Sequence, residues 1–147
     1  MYKHLFVPVD GSDLSHRAMD GSIELAKQLG ARITGFVVEP DLPLSSVSPQ
    51  ANVSSARIKN HETANQEHAE ALLSQFNKRA TNAGVVFSGL SVTAYGVDHA
   101  IMEGAEKSGC DMIVMVTHGR GSIGQFLFGS HTQKIVAQSK LPVLILH

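Results

Sequence analysis

The sequence has few of the residues that mark several classes of protein. Its 147 residues include one cysteine, Cys110, and no tryptophan. A single cysteine excludes an internal disulfide framework and a cysteine-based zinc cluster. We expect its thiol to be buried and inert, because free cysteines are commonly buried. No apolar run approaches the roughly 20 residues that cross a bilayer, so a membrane is not an expected partner.

Neither sign of charge is in excess. Twelve lysines and arginines oppose 13 aspartates and glutamates, which leaves a formal charge of −1. A dedicated nucleic-acid or membrane-surface binder would carry a basic excess, so neither activity is expected. The first apolar run meets Asp10 too early to form the core of a secretory signal. A cytoplasmic location is therefore the default expectation.

The rest of the composition is typical of one folded domain over residues 1–147. Hydrophobic residues make up 43% of the chain and charged residues 17%, and a chain of this length can bury a full core. Short apolar runs bounded by turn residues alternate with helical periodicity, which predicts the order β-α-β-α-β-α-β-α-β. Because each crossover has room for a helix, the strands should be parallel. The predicted fold is a three-layer, Rossmann-like α/β sandwich: a five-stranded parallel sheet with helices on both faces.

Two connecting segments carry expectations of their own. Ser12 is placed to cap the first helix, and Gly30 is placed to end it. Residues 40–55 are rich in Pro, Ser and Asn and predict a long loop, which is either a mobile cover or a surface insertion.

The expected location of chemistry is the carboxyl edge of the sheet, where open parallel sheets bind ligands. A glycine-rich segment, residues 118–129, follows the fourth strand and contains a G-x-G-x-x-G pattern. The pattern does not predict a dinucleotide fold, because the next helix begins only near Ser130. In addition, no acidic residue follows Asp111 to hold a ribose diol.

The same segment has the chemistry of an anion site. Glycines let the backbone approach an anion and turn its N–H groups toward it. Gly129 and Ser130 place N–H groups and a hydroxyl at a helix N-terminus, and Arg120 adds a cation. The alternative is that the glycines only turn the chain and Ser130 only caps the helix. His118 is equally open, since it either positions a phosphate or simply ends a strand.

Three parts of the chain resemble the universal stress protein family: LFVPVDGS at 5–12, VVEP at 37–40, and the tail over 111–146. The nucleotide-binding branch of that family carries a G-x-x-G-x(9)-G-S/T pattern. Gly119, Gly129 and Ser130 match it, while Val116 replaces the first glycine. That valine either crowds the ligand or only tightens the wall of its site.

The resemblance implies an adenine nucleotide alpha hydrolase-like fold that binds ATP, ADP or AMP, with Mg²⁺ accompanying the phosphates. It implies that the phosphates are lined by Gly119, Gly129, Ser130, His131 and Thr132, and that adenine and ribose are surrounded by Pro8, Asp10, Val37 and Met115. Val116, His118 and Arg120 complete the candidate nucleotide site, to which no catalytic residue and no metal ligand is assigned. The resemblance also implies a homodimer in which the last strand, Val143–Leu146, pairs with its twin.

Three functions remain open at this stage. The favoured one is an ATP-binding, dimeric regulatory or stress-response module. The second is a protein–protein module of the same family without a nucleotide, and the third is a slow ATP hydrolase or phosphotransferase using His118 or Arg120. His61 and His68 share a helix face without partnering ligands, so we interpret them as solvated residues rather than a metal site.

Overall fold

Strands and helices alternate along the chain as the sequence predicts. The computed structural model describes residues 1–41, 55–117 and 130–147, with the side chains of the second range described from Ile58 on. The elements are β1 (His4–Pro8), α1 (Asp13–Leu29), β2 (Arg32–Pro40), α2 (Ser55–Asn82), β3 (Phe87–Ala94), α3 (Val97–Lys107), β4 (Met112–Val116), α4 (Ser130–Gln138) and β5 (Val143–Leu146).

All five strands are parallel and lie in the order β3-β2-β1-β4-β5. The chain starts at the centre of the sheet, moves outward through β2 to β3, and then returns to build β4 and β5. Strand order therefore reverses between β1 and β4, which is the topological switch point of the sheet. Helices α1 and α2 cover one face and α3 and α4 the other. The predicted three-layer α/β fold is confirmed.

The central strand β1 supplies side chains to both cores, as expected of a strand covered on both faces. Leu5 and Val7 belong to the cluster under α1 and α2, whereas Phe6 belongs to the cluster under α3 and α4. The rings of Phe6 and Phe36 have centroids 4.8 Å apart. Each fully buried side chain of this size contributes about 1.5–3 kcal/mol. These contacts hold the carboxyl ends of β1 and β2 in place.

The limits of α1 agree with the sequence only in part. Gly30 adopts a left-handed conformation with φ of 61° and ends the helix, as predicted. Ser12 precedes the helix, but its side chain makes no capping hydrogen bond, so that part of the prediction is wrong. The hydroxyl instead donates to Asp10 Oδ1 at 2.6 Å. As a cap, the hydroxyl oxygen would accept from a backbone N–H. Here the hydroxyl donates to a carboxylate instead, and hydrogen bonds to charged groups are the stronger kind.

The amino end of the sheet holds a buried polar cluster away from the switch point. His4 Nε2 lies 2.7 Å from Thr34 Oγ1, which lies 2.9 Å from Ser88 Oγ. Burial, and then the charge of Arg32, lowers the pKa of His4. Cys110 is buried as predicted, and burial raises the pKa of its thiol to about 11. A thiol with that pKa is almost entirely protonated near neutral pH, which makes it a poor nucleophile.

Within the three ranges that the structure covers, no helix has the length and apolar character required to span a bilayer.

Candidate functional site

A cavity of about 230 Å³ opens at the carboxyl ends of β1 and β2, beside the switch point. Its surface is mainly apolar, with walls formed by Pro8, Val37 and Val38. Five side chains with polar atoms also line it: Asp10, Glu39, His68, Tyr95 and His131. Apolar walls with a few placed polar groups are typical of small-molecule sites. We refer to it as the switch-point cavity.

The Asp10 carboxylate is held rigidly by the turn that follows β1. Its Oδ1 accepts hydrogen bonds from the Ser12 N–H at 3.0 Å, the Ser12 hydroxyl at 2.6 Å and the Ser15 hydroxyl at 2.8 Å. The Ser15 hydroxyl accepts in turn from the N–H groups of Asp10 and Gly11. Gly11 has φ of +83°, a conformation that favours glycine. Among the described residues, none donates a hydrogen bond to Oδ2 of Asp10.

A histidine–carboxylate pair forms a second polar wall of the cavity. His68 of α2 lies with its Nδ1 2.7 Å from Glu39 Oε1 at the end of β2. Glu39 is only 8% exposed, and an ionised carboxylate can only accept, so the imidazole donates. The His68 ring also lies against Gly11, where an added Cβ would be 3.0 Å from Nε2. His68 therefore links α2 both to the end of β2 and to the turn that holds Asp10.

A second such pair lies where α3 meets α4. His131 Nδ1 is 3.0 Å from Asp98 Oδ1, and Lys134 Nζ is 4.0 Å from Asp98 Oδ2. Burial by itself would raise the pKa of the Asp98 carboxyl, but the hydrogen bond from His131 and the nearby charge of Lys134 outweigh it. The pKa of Asp98 is consequently lowered, and the carboxylate is charged at neutral pH.

Four of the predicted site residues line the switch-point cavity: Pro8, Asp10, Val37 and His131. Ser130 is exposed at the start of α4, and Thr132 is buried two residues further along. The remaining residues of the predicted phosphate segment lie outside the described residues: His118, Gly119, Arg120 and Gly129. The predicted loop over residues 40–55 also falls largely outside them.

Met115 and Val116 do not line this cavity. Both are 2% exposed at the end of β4. Met115 packs in the core under α3 and α4, and Val116 packs in the core under α1 and α2. Their side chains lie on opposite faces of the sheet because consecutive residues of a strand alternate. The isopropyl group of Val116 therefore does not occupy the switch-point cavity.

Sequence reasoning missed Glu39, His68 and Asp98. His68 is exposed on α2, as expected of a solvated helix residue, but its ring also bonds to a carboxylate 29 positions away, which the sequence did not predict. Glu39 could have been singled out in the sequence, because it is an acidic residue directly after the apolar run of β2. His61 is half-buried, and its Nε2 lies 3.2 Å from Asn65 Nδ2.

A larger cavity of about 570 Å³ runs along α2 beside the ends of β2 and β3. Its lining includes Asp41, His61, Glu62 and Thr93. Nowhere in the described parts of the chain do three His, Cys, Asp or Glu side chains come together as a possible metal site. We favour the smaller cavity as the candidate site because it lies beside the switch point and has mainly apolar walls.

The doubly wound parallel sheet, with a cavity at its switch point, defines a Rossmann-like α/β domain. The model of the universal stress protein family matches residues 1–147. The chain belongs to the universal stress protein family.

Named relatives are similar over nearly the whole chain. A universal stress protein of Thermus aquaticus is 30% identical over 145 residues, covering 99% of this chain and 98% of that protein. Universal stress protein YxiE of Bacillus subtilis is 28% identical over 148 residues, covering 99% of each chain.

Several solved structures share the fold, and some contain adenine nucleotides. A universal stress protein in complex with cAMP is 26% identical, with a TM-score of 0.67 over 99% of this chain and 97% of that one. An Arabidopsis thaliana member with AMP bound is 17% identical, with a TM-score of 0.69 over 98% and 90% of the two chains. An Archaeoglobus fulgidus member in complex with dAMP is 18% identical, with a TM-score of 0.61 over 99% and 98%. At these last two identities the likeness shows the fold alone.

Proposed function

We propose that this protein binds an adenine nucleotide, with the base and ribose in the switch-point cavity and the phosphates directed toward the start of α4. One observation carries the proposal: the Asp10 carboxylate, fixed through Oδ1 and accepting nothing at Oδ2 from the described residues, lines an apolar cavity beside the switch point. The nucleotide complexes of structurally similar family members support it.

The dimensions and walls of the cavity suit a nucleoside. About 230 Å³ is below the roughly 300–1,000 Å³ of sites that enclose a whole drug-sized ligand. The cavity would therefore take the base and sugar and leave the phosphates outside. Pro8 and Val37 offer apolar surface to a purine ring, and Asp10 Oδ2 can accept from an amino or hydroxyl group.

The start of α4 supplies the environment for the phosphates. Ser130 is exposed in the first turn of a nine-residue helix, whose free N–H groups and dipole favour negative charge. His131, in the same turn, lines the switch-point cavity. Among the possible nucleotides we favour ATP. Mg²⁺ would then be held by the phosphates and water, an arrangement that this ion commonly adopts.

The proposed role is that of a dimeric regulatory module in the stress response. Among the described residues β5 pairs with β4 alone, so no strand from those residues covers its outer edge. Both faces of β5 contact the core, with Leu144 on one side and Ile145 on the other. An apolar edge strand is suited to pairing with another chain, and a two-fold axis closes such a pair. The cytoplasmic location stays a prediction.

Calorimetric titration with adenosine, AMP and Mg-ATP tests the proposal on nucleotide-free protein. We expect binding by the wild type and an approximately five- to tenfold weaker affinity in Asp10→Asn, because the amide keeps an Oδ1-like acceptor but loses the second one. Asp20→Asn is the matched control, since Asp20 is an exposed carboxylate on α1 that pairs with Arg79. No heat and no thermal shift with any of the three ligands would refute nucleotide binding.

The two alternative functions have their own signatures in the same experiments. Absence of binding would leave the protein–protein module as the best hypothesis. Turnover of ATP near the 1–100 s⁻¹ that is common for kinases would favour a phosphotransferase. Neither alternative gains support from Val116, because its side chain packs away from the switch-point cavity.

A further inference from the structure

The contact between Asp98 and His131 lies beside the switch-point cavity, which His131 lines, and it has no role in the site as described so far. Asp98 occupies the first turn of α3, and His131 the first turn of α4. Both side chains are largely buried, with 17% and 27% exposure, and the Nδ1 to Oδ1 distance is 3.0 Å. The contact joins the two helices exactly at the cavity, where His131 is a lining residue.

We propose that Asp98 is a positioning residue that holds the His131 ring through Nδ1 and presents Nε2 to the phosphate of the bound nucleotide. The pair would thereby make the site prefer phosphorylated nucleotides over nucleosides. This inference rests on the proposed function, because it assigns the phosphate end of the same ligand.

The chemistry of imidazole decides which ring nitrogen can donate to which partner. Asp98 can only accept, so the Nδ1–H of His131 donates to it. In the neutral ring Nε2 is then an unprotonated acceptor, which cannot donate to a phosphate oxygen. In the imidazolium both nitrogens donate, Nδ1 to Asp98 and Nε2 to the phosphate. Only the imidazolium can therefore bridge Asp98 and the phosphate.

The charges around the ring suit such a bridge. The carboxylate of Asp98 is in direct contact with the ring, and the lowered pKa of Asp98 keeps it ionised near neutral pH. Lys134, whose Nζ lies 4.0 Å from Asp98 Oδ2, adds a positive charge that attracts a phosphate. The other titratable groups around the cavity are Asp10, Glu39, His68 and Tyr95.

A purely structural role for Asp98 makes a different prediction. If the pair only ties α3 to α4, removing it would loosen the cavity wall and weaken adenosine and AMP to the same extent. If the pair presents Nε2 to the phosphate, only ligands with a phosphate would lose affinity. The difference between the two ligands therefore separates the two roles.

The experiment is calorimetric titration of the full chain with adenosine and AMP. We expect Asp98→Asn to weaken AMP about tenfold, as for the loss of a charge-assisted hydrogen bond, and to leave adenosine within about twofold. Glu103→Gln is the matched control, because it removes an exposed carboxylate from the same helix. Asp98→Glu should recover part of the AMP affinity.

The pH profile of AMP affinity, compared with that of adenosine, is the second readout. Because only the imidazolium donates from both nitrogens, the preference of the wild type for AMP should fall as the pH rises. The fall should be absent in Asp98→Asn and in His131→Gln, which assigns it to the ring rather than to the phosphate. Should Asp98→Asn fail to fold by circular dichroism, an AMP-specific loss in His131→Gln decides the question.

Each remaining outcome is decisive. Equal weakening of adenosine and AMP, or unchanged AMP affinity in both variants, overturns the inference. Equal affinity of the wild type for adenosine and AMP overturns it too, while nucleotide binding itself stands. Binding of neither ligand to the wild type refutes the proposed function and this inference with it.

Discussion

Replacing Gly11 with alanine perturbs the candidate site in a way that the structure allows to be quantified. The residue has φ of +83°, and an added Cβ would lie 3.0 Å from His68 Nε2. The left-handed conformation alone costs an L residue about 1 kcal/mol, after allowing for the lower entropy of the unfolded alanine chain. The His68 ring can swing away because its side chain is 53% exposed. The swing would leave the buried Glu39 carboxylate without its partner, at a further cost of about 1–3 kcal/mol.

Gly84→Ala is the matched control for the cost of a left-handed backbone conformation. Gly84 has φ of +76°, and a Cβ there would meet nothing within 4 Å. We expect this variant to lose only about 1 kcal/mol, or about 2–4 °C in Tm, and to bind adenosine like the wild type. Gly11→Ala should lose more stability and should bind adenosine and AMP about fivefold more weakly, because His68 lines the end of the cavity near Asp10.

Chemical denaturation and calorimetry measure the two effects separately. In the double variant Gly11→Ala/His68→Ala, the new Cβ no longer meets an imidazole ring. The stability losses of the two single variants should therefore not add up in the double variant. Equal stabilities of Gly11→Ala and Gly84→Ala, together with wild-type adenosine affinity in both, would refute the reasoning that His68 is held against this turn.

Two further predictions concern the amino end of the sheet and its outer edge at β5. Burial lowers the pKa of His4 below its unfolded value of about 6.5, so protonation favours the unfolded chain. The stability that depends on neutral His4 is present above about pH 6.5 and is lost as the pH falls below it, by at most about 1.4 kcal/mol per pH unit. Denaturation of the wild type and His4→Gln should show the steeper acid loss in the wild type, and identical slopes would contradict this. Sedimentation equilibrium should show a dimer formed through β5, whereas a monomer at every attainable concentration would contradict the proposed assembly.

Much of the architecture was predictable because it follows from local patterns. A continuous apolar run such as β1 predicts a strand that is buried on both faces, and Gly30 predicts the end of α1. Parallel strands with helical crossovers then leave few topologies open. The edge position of β3 agrees with its weaker apolar character in the sequence.

The side-chain partners were less predictable, since they depend on distance in space rather than along the chain. Ser12 has the residue type and position of a cap, yet the carboxylate of Asp10 engages its hydroxyl instead. The sequence likewise does not tell which carboxylate oxygen of Asp10 accepts from Ser12 and Ser15, because that depends on how the turn folds. No local pattern contains that information.

The order of elements, the parallel sheet and the family could be inferred from the sequence, since all three depend on periodicity and on motifs of neighbouring residues. The contacts of Glu39 with His68 and of Asp98 with His131, and the core position of Val116, emerge only in the folded chain. Those positions depend on how α2, α3 and α4 pack on the sheet, and packing brings together side chains 29 and 33 positions apart.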